Sequence, residues 1–97
     1  MKHEDTHKLR VPNAVADLVR GLHPKLKKKL RAALAEIAEH PHNGKALKQE
    51  LSGLRSFRVG GFREVYRLSG ERRVKIVAIG PRESIYEETW RIVRRLK

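Results

Sequence analysis

The sequence predicts an α+β protein, with an N-terminal helical hairpin packed on an antiparallel β-sheet and a C-terminal helix closing the chain. Three observations carry that expectation. Two apolar stripes recur at helical spacing within the first 39 residues. From Leu54 to Ile79, three runs rich in β-branched and aromatic residues are separated by Gly60-Gly61 and Ser69-Gly70-Glu71, the pattern of a three-strand antiparallel meander. After Pro81 the chain returns to helical periodicity, acids first and bases last, as the helix dipole favours. A chain of 97 residues has the size of one small domain with one core, so residues 1–97 are read as a single domain.

In order, His7 to Val11 is a short run that suits a first strand, ended by Pro12. Proline is tolerated in a first helical turn because its missing N–H would be unpaired there. Val15, Leu18, Val19 and Leu22 then recur at i, i+3, i+4 and i+7 and give a first helix one apolar face. Gly21 weakens its end and His23-Pro24 breaks it. A second helix spans Pro24 to Glu39, with Leu26, Leu30, Ala33, Leu34 and Ile37 on one stripe and Lys25, Lys27, Lys28, Lys29 and Arg31 on the other face. The short break between the two predicts an antiparallel pair sharing a core. The lysine run has two readings, a solvated helix face or a contact to nucleic-acid backbone.

His40-Pro41-His42-Asn43-Gly44 is a turn cluster. Two histidines two apart, with no cysteine or nearby carboxylate, make a poor metal site, so neither metal nor cofactor is expected. None of the five histidines lies in an arrangement that argues for catalysis. Lys45 to Gly53 reads as a connector of helical character, with Leu47, Leu51 and Leu54 under the sheet.

The strands are expected at 54–59, 62–68 and 73–79. Alternation places Phe57, Val59, Phe62, Tyr66 and Leu68 on one face, toward the helices, and Ser56, Arg58, Arg63 and Arg67 on the other. Glu64 is the misfit, falling on the apolar side. A two-residue turn at Gly60-Gly61 puts Arg58 directly opposite Arg63, a like-charge pair that costs stability. An anion between the two guanidiniums would relieve it, and so would two side chains splayed into water. A bulge at Gly60-Gly61 would change this register. The third strand, Val-Lys-Ile-Val-Ala-Ile, is almost continuously apolar, as in a strand covered on both faces. Its end lies beside the start of the strand that begins at Phe62. Arg58, Arg63, Arg82 and Tyr86 should therefore converge on one end of the sheet, a cluster suited to a phosphodiester. In the last helix Ile85, Thr89, Ile92 and Leu96 form a stripe, widened by Val93 and by Trp90, which is expected to pack rather than to stack on bases.

Charge is the strongest compositional signal: 23 Lys and Arg against 11 Asp and Glu leave +12. Such a field draws polyanions, whether nucleic acid, the ribosome or an acidic protein. A membrane surface fits less well because the cations are spread over sheet and helices. No cysteine is present, which excludes disulfides and thiolate metal sites. Met1 to His7 has no apolar signal-peptide core and no run approaches membrane-spanning length, so a cytoplasmic protein is expected.

The stretch Leu51–Arg67, Leu-Ser-Gly-Leu-Arg-Ser-Phe-Arg-Val-Gly-Gly-Phe-Arg-Glu-Val-Tyr-Arg, with Ala78–Tyr86, Ala-Ile-Gly-Pro-Arg-Glu-Ser-Ile-Tyr, resembles the RelE/ParE superfamily, toxins of type II toxin–antitoxin pairs. The resemblance covers most of the chain. It implies two N-terminal helices on an antiparallel sheet, a variable C-terminal tail and a cognate antitoxin as partner. RelE-like members cleave mRNA in the ribosomal A site without a metal; ParE-like members poison DNA gyrase and lack the nuclease residues. By the resemblance, Arg63, Arg82 and Tyr86 match catalytic positions, and Arg55, Arg58, Arg67, Lys45 and Lys48 are candidates to hold RNA. The chain departs from RelE-like nucleases on the first of these strands, where Arg55, Ser56 and Arg58 stand in place of lysines, and this leaves the general base unassigned.

Metal-free cleavage of RNA needs the 2′-OH deprotonated, the phosphorane charge stabilised and the 5′-oxygen protonated. Arginine clamps phosphate but does not surrender its proton, so Arg58 and Arg63 cannot be the base. Tyrosine ionises near pH ~10 unless cations surround it. With so little acid–base equipment, the chemistry would depend on the ribosome to position its message. The expected function is a ribosome-dependent endoribonuclease that inhibits translation and is silenced by an antitoxin carrying an acidic segment. The alternatives are a gyrase inhibitor without nuclease activity and an inactive homologue that only binds an antitoxin. The oligomeric state of the free toxin is not legible in the sequence.

Overall fold

The computed structural model describes residues 7–95; Leu96, expected on the last helical stripe, and the segment before His7 lie outside the described residues. The elements are β1 (Lys8–Arg10), α1 (Asn13–Arg20), α2 (Pro24–Glu39), β2 (Lys45–Ala46), β3 (Leu54–Val59), β4 (Phe62–Ser69), β5 (Arg73–Pro81) and α3 (Ile85–Arg95). The protein is α+β, with three helices on a five-stranded mixed sheet of order β1-β5-β4-β3-β2. The sheet is not purely antiparallel, because β1 pairs with β5 in parallel, Leu9 opposite Val74. A hairpin announces its direction through its turn, whereas a three-residue strand paired with a partner 65 residues later carries no local signal of direction.

Capping explains the helix limits. Pro12 stands at the N-cap of α1, its carbonyl accepting from Ala16 N at 3.0 Å. Pro24 occupies the first turn of α2, and His23 Nδ1 accepts from Lys25 N at 3.1 Å, pairing an amide that the helix itself leaves open. Val15 and Val19 of α1 are buried and Leu22 packs beside them, but Leu18 is 45% exposed, because α1 is too short and too lightly covered to bury its whole apolar stripe.

The meander matches the expected register. Val59 faces Phe62 and Arg58 faces Arg63 across a turn in which Gly60 takes φ +59°, a conformation that suits glycine. The bulge lies elsewhere, between Val65 and Tyr66 of β4, where Val77 of β5 has no partner. The residues from Lys45 to Gly53 are not a helical connector. Lys45 and Ala46 pair with Ser56 and Arg55 as an edge strand, and only Gln49–Leu51 forms a helical turn.

Two cores result, one on each face of the sheet. On one face Val59, Tyr66, Val74, Ile76 and Ile79 pack with Val15, Val19, Leu30, Ala33 and Ile37 of α1 and α2. On the other, Leu54, Val65 and Ala78 pack with Ile85 of α3, bordered by Leu47 and Leu51. No described helix is long and apolar enough to cross a membrane.

Candidate functional site

The α3 face carries the polar cluster. Ser56 on β3 and Arg63 on β4 point to this face, by the alternation that buries Leu54 and Val65 there. Ser56 is 1% exposed, and its hydroxyl oxygen accepts from Arg63 Nη1 at 2.9 Å and from the Tyr86 hydroxyl at 3.2 Å. Strand β3, strand β4 and helix α3 are thus tied at one oxygen. Arg58 stands directly opposite Arg63, exposed, its Nε only 3.4 Å from the Gly60 carbonyl. The exposed Arg82 follows β5, and its backbone N–H donates to the Gly61 carbonyl at 2.8 Å, which fixes it beside the Gly60-Gly61 turn. Arg58, Arg63, Arg82 and Tyr86 therefore occupy the same end of the sheet, as the hairpin geometry implies.

Lys45, a candidate from the resemblance, comes to the cluster through the sheet. It pairs with Ser56 across β2 and β3, so its side chain leaves the sheet on the Ser56 face. Lys45, Lys48, Leu47, Leu51 and Tyr86 line an open groove of about 320 Å³ beside that cluster. Its lining combines apolar side chains, Leu47 and Leu51, with two lysines and one phenol. Among the described residues, no group of His, Asp and Glu is placed to hold a metal ion.

Arg55 is placed differently from the others. It lies on the helix face opposite Tyr66, where its Nε donates to the Gly44 carbonyl at 3.1 Å and its Nη2 to that of His42 at 3.0 Å. Tyr66, fully buried, donates to the Pro41 carbonyl at 2.6 Å and accepts from Gly44 N at 3.0 Å. A Cβ on Gly44 would collide with that hydroxyl. Burial pushes the Tyr66 phenol above its ordinary value of 10, while the Gly44 N–H and Arg55 act in the opposite direction. Arg55 and Tyr66 together clamp the turn that delivers Lys45 to its place beside Ser56. An arginine expected at the RNA is thus spent on backbone carbonyls behind the sheet. Arg67 stays on the α3 face but four residues along β4 from Arg63, outside the cluster.

Trp90 does not bury as a packing residue: it is 36% exposed, with the Arg94 guanidinium 4.5 Å above its ring. Sequence reasoning also missed Ser56 as the junction. A small hydroxyl among cationic neighbours on a strand was its one visible signal.

Residues 9–86 match the family model of the ParE toxin of type II toxin–antitoxin systems, parDE. The chain belongs to this family, within the RelE/ParE superfamily. Solved RelE structures share the fold of this ParE-family chain. The toxin–antitoxin complex RelBE2 of Mycobacterium tuberculosis matches at a TM-score of 0.70 and 26% identity, over 79% of this chain and 99% of that one. An E. coli RelE mutant in the free state matches at 0.72 and 21% identity, over 95% and 99%. The archaeal RelE–RelB complex from Pyrococcus horikoshii OT3 matches at 0.67 and 19% identity, over 79% and 96%. No characterised protein sequence gives a significant match.

Proposed function

We propose that this type II toxin is a ribosome-dependent endoribonuclease that cuts mRNA and is neutralised by a cognate antitoxin. One observation carries the reading: Ser56 Oγ joins Arg63 and Tyr86 on the face where Lys45 and the groove open. Arg58 and Arg63 hold the scissile phosphate from its two non-bridging oxygens, as paired guanidiniums do. The 2′-oxygen passes its proton to the Lys45 amine and attacks phosphorus; the P–O5′ bond breaks and the 5′-oxygen takes up a proton from water, giving a 2′,3′-cyclic phosphate and a 5′-hydroxyl. Lysine, unlike arginine, can release a proton, so Lys45 stands in for the lysines missing from β3. The Tyr86 phenol lies within the same cluster and orients the nucleotide in the groove. Arg82 at the hairpin end stabilises charge on the phosphorane. The antitoxin partner is supported by the RelE–RelB complexes among the structural neighbours.

The test is a cell-free translation reaction with mRNA 5′ ends mapped, beside ribosome-free message. Cuts confined to ribosome-bound mRNA and lost in Arg82→Ala are expected. No cuts in either tube would remove the reading. The ParE family match then favours a second one, inhibition of DNA gyrase, read by a supercoiling assay.

A further inference from the structure

The α3 face of the sheet carries a second set of cations, at the end away from the Ser56 cluster. Across β1 and β5, Lys8 is directly opposite Arg73 and Arg10 is directly opposite Lys75. Across β5 and β4, Lys75 is in turn opposite Arg67. Leu9, Val74 and Leu68, the alternating residues, point into the helix-face core, so these five basic side chains share the other face. Lys8, Arg10, Arg67 and Arg73 are exposed and Lys75 is half-buried. Among the described residues, the acid that reaches them is Glu71, 3.9 Å from Arg73 and itself largely in solvent. Directly opposed like charges destabilise a sheet, and here three such oppositions adjoin. Arg58 opposite Arg63 is a fourth, at the cleft.

We propose that Lys8, Arg10, Arg67, Arg73 and Lys75 form a second RNA-binding surface, separate from the cleft, that takes the phosphate backbone of double-stranded RNA. The spacing supports a backbone ligand. Arg10, Lys75 and Arg67 stand on adjacent strands about 4.8 Å apart, and Arg67 is about 13 Å along β4 from Arg63. Single-strand binders interleave cations with exposed aromatic platforms for the bases. The strand positions that make up this patch carry no aromatic residue, so it reads charge and shape, as duplex-RNA contacts do. An acidic polypeptide that folds onto a protein needs apolar anchor points, and the outward-facing positions of the patch offer none. The inference extends the RNA reading above by giving the toxin a grip on structured RNA, such as ribosomal RNA, while the cleft handles the message.

The experiment reads binding rather than cleavage, so a protein that cuts no mRNA can still pass or fail it. Wild type, Arg67→Gln/Lys75→Gln and a control of equal charge loss on α2, Lys28→Gln/Lys29→Gln, are titrated against a fluorescent RNA duplex of about 16 base pairs over a range of salt. The patch variant is expected to bind about tenfold more weakly, with a salt slope shallower by about two, and the control to change far less. The patch variant should also melt at a higher temperature, since its like-charge oppositions are gone; this shows that the loss is not unfolding. Unchanged duplex affinity and slope would overturn the proposal. So would equal losses in patch and control, which would reduce the effect to net charge. A loss of binding to polyglutamate with duplex binding intact would make an acidic polypeptide the occupant and refute RNA.

Discussion

The two faces of the sheet solve opposite problems. The helix face buries almost everything it carries, and its polar members, Tyr66 and Arg55, are consumed in hydrogen bonds to the 41–44 turn. The α3 face is half covered: Leu54, Val65 and Ala78 lie under α3, while Lys8, Arg10, Arg58, Arg67 and Arg73 stay in solvent. Residues of one type, three positions apart on one strand, have different fates. Arg55 is structural and Arg58 is exposed because the pleat sends them to opposite faces. The helix face holds the geometry and the α3 face presents charge.

Glu64 is the exception on the helix face and the sharpest way to strain the contrast. It is 0% exposed, neither carboxylate oxygen has a partner among the described residues, and burial pushes its pKa from 4.5 to about 8. A carboxyl with a raised folded-state pKa leaves stability intact below its unfolded value and erodes it as pH rises toward the folded one. Stability should therefore fall between pH 4.5 and about 8, by roughly 5 kcal/mol. Thermal melts at acid and alkaline ends of that window should show the fall in wild type and a flatter profile in Glu64→Gln. A wild-type profile without slope would contradict the burial of an unpaired acid.

On the α3 face the effect should be on rate. Tyr86→Phe keeps the ring and removes the bond to Ser56; mRNA cleavage on the ribosome should drop about 100-fold, roughly 2.7 kcal/mol, with the melting temperature little changed. Equal cleavage by the variant would take the hydroxyl out of the site. Gly44→Ala tests whether the two faces are linked, since its methyl would strike Tyr66 behind the sheet. A stability loss of about 2 kcal/mol is expected in denaturant unfolding, with poorer cleavage because Lys45 follows directly. Arg55→Ala, which strips two hydrogen bonds from the same turn, should cost about 1 kcal/mol and leave duplex RNA affinity close to wild type. A large loss of RNA binding there would return Arg55 to the interface. Leu18→Gln on exposed α1 should shift stability by less than about 0.5 kcal/mol.

Much of this was legible from residue order. Helix α2 runs from Pro24 to Glu39 as its stripe and breakers indicate, and the meander has the register implied by Gly60-Gly61. Both are local: periodicity and turn chemistry act within a few residues, and the hairpin carries Arg58, Arg63 and Arg82 to one end without further help. The parallel pairing of β1 was not legible, nor was the edge strand of Lys45 and Ala46. A two-residue strand has no alternation to read, and its place depends on Tyr66 and Arg55 holding a turn 11 to 25 residues away in the chain.

By itself, then, the sequence determined the two N-terminal helices, the meander with its hairpin register and the excess of positive charge, because these follow from short-range sterics and composition. Tertiary structure alone decided which arginine became a clamp and which stayed exposed, that Ser56 would be the meeting point of Arg63 and Tyr86, and that Lys45 would stand beside it. Those outcomes depend on contacts between segments far apart in the chain, which no local pattern encodes.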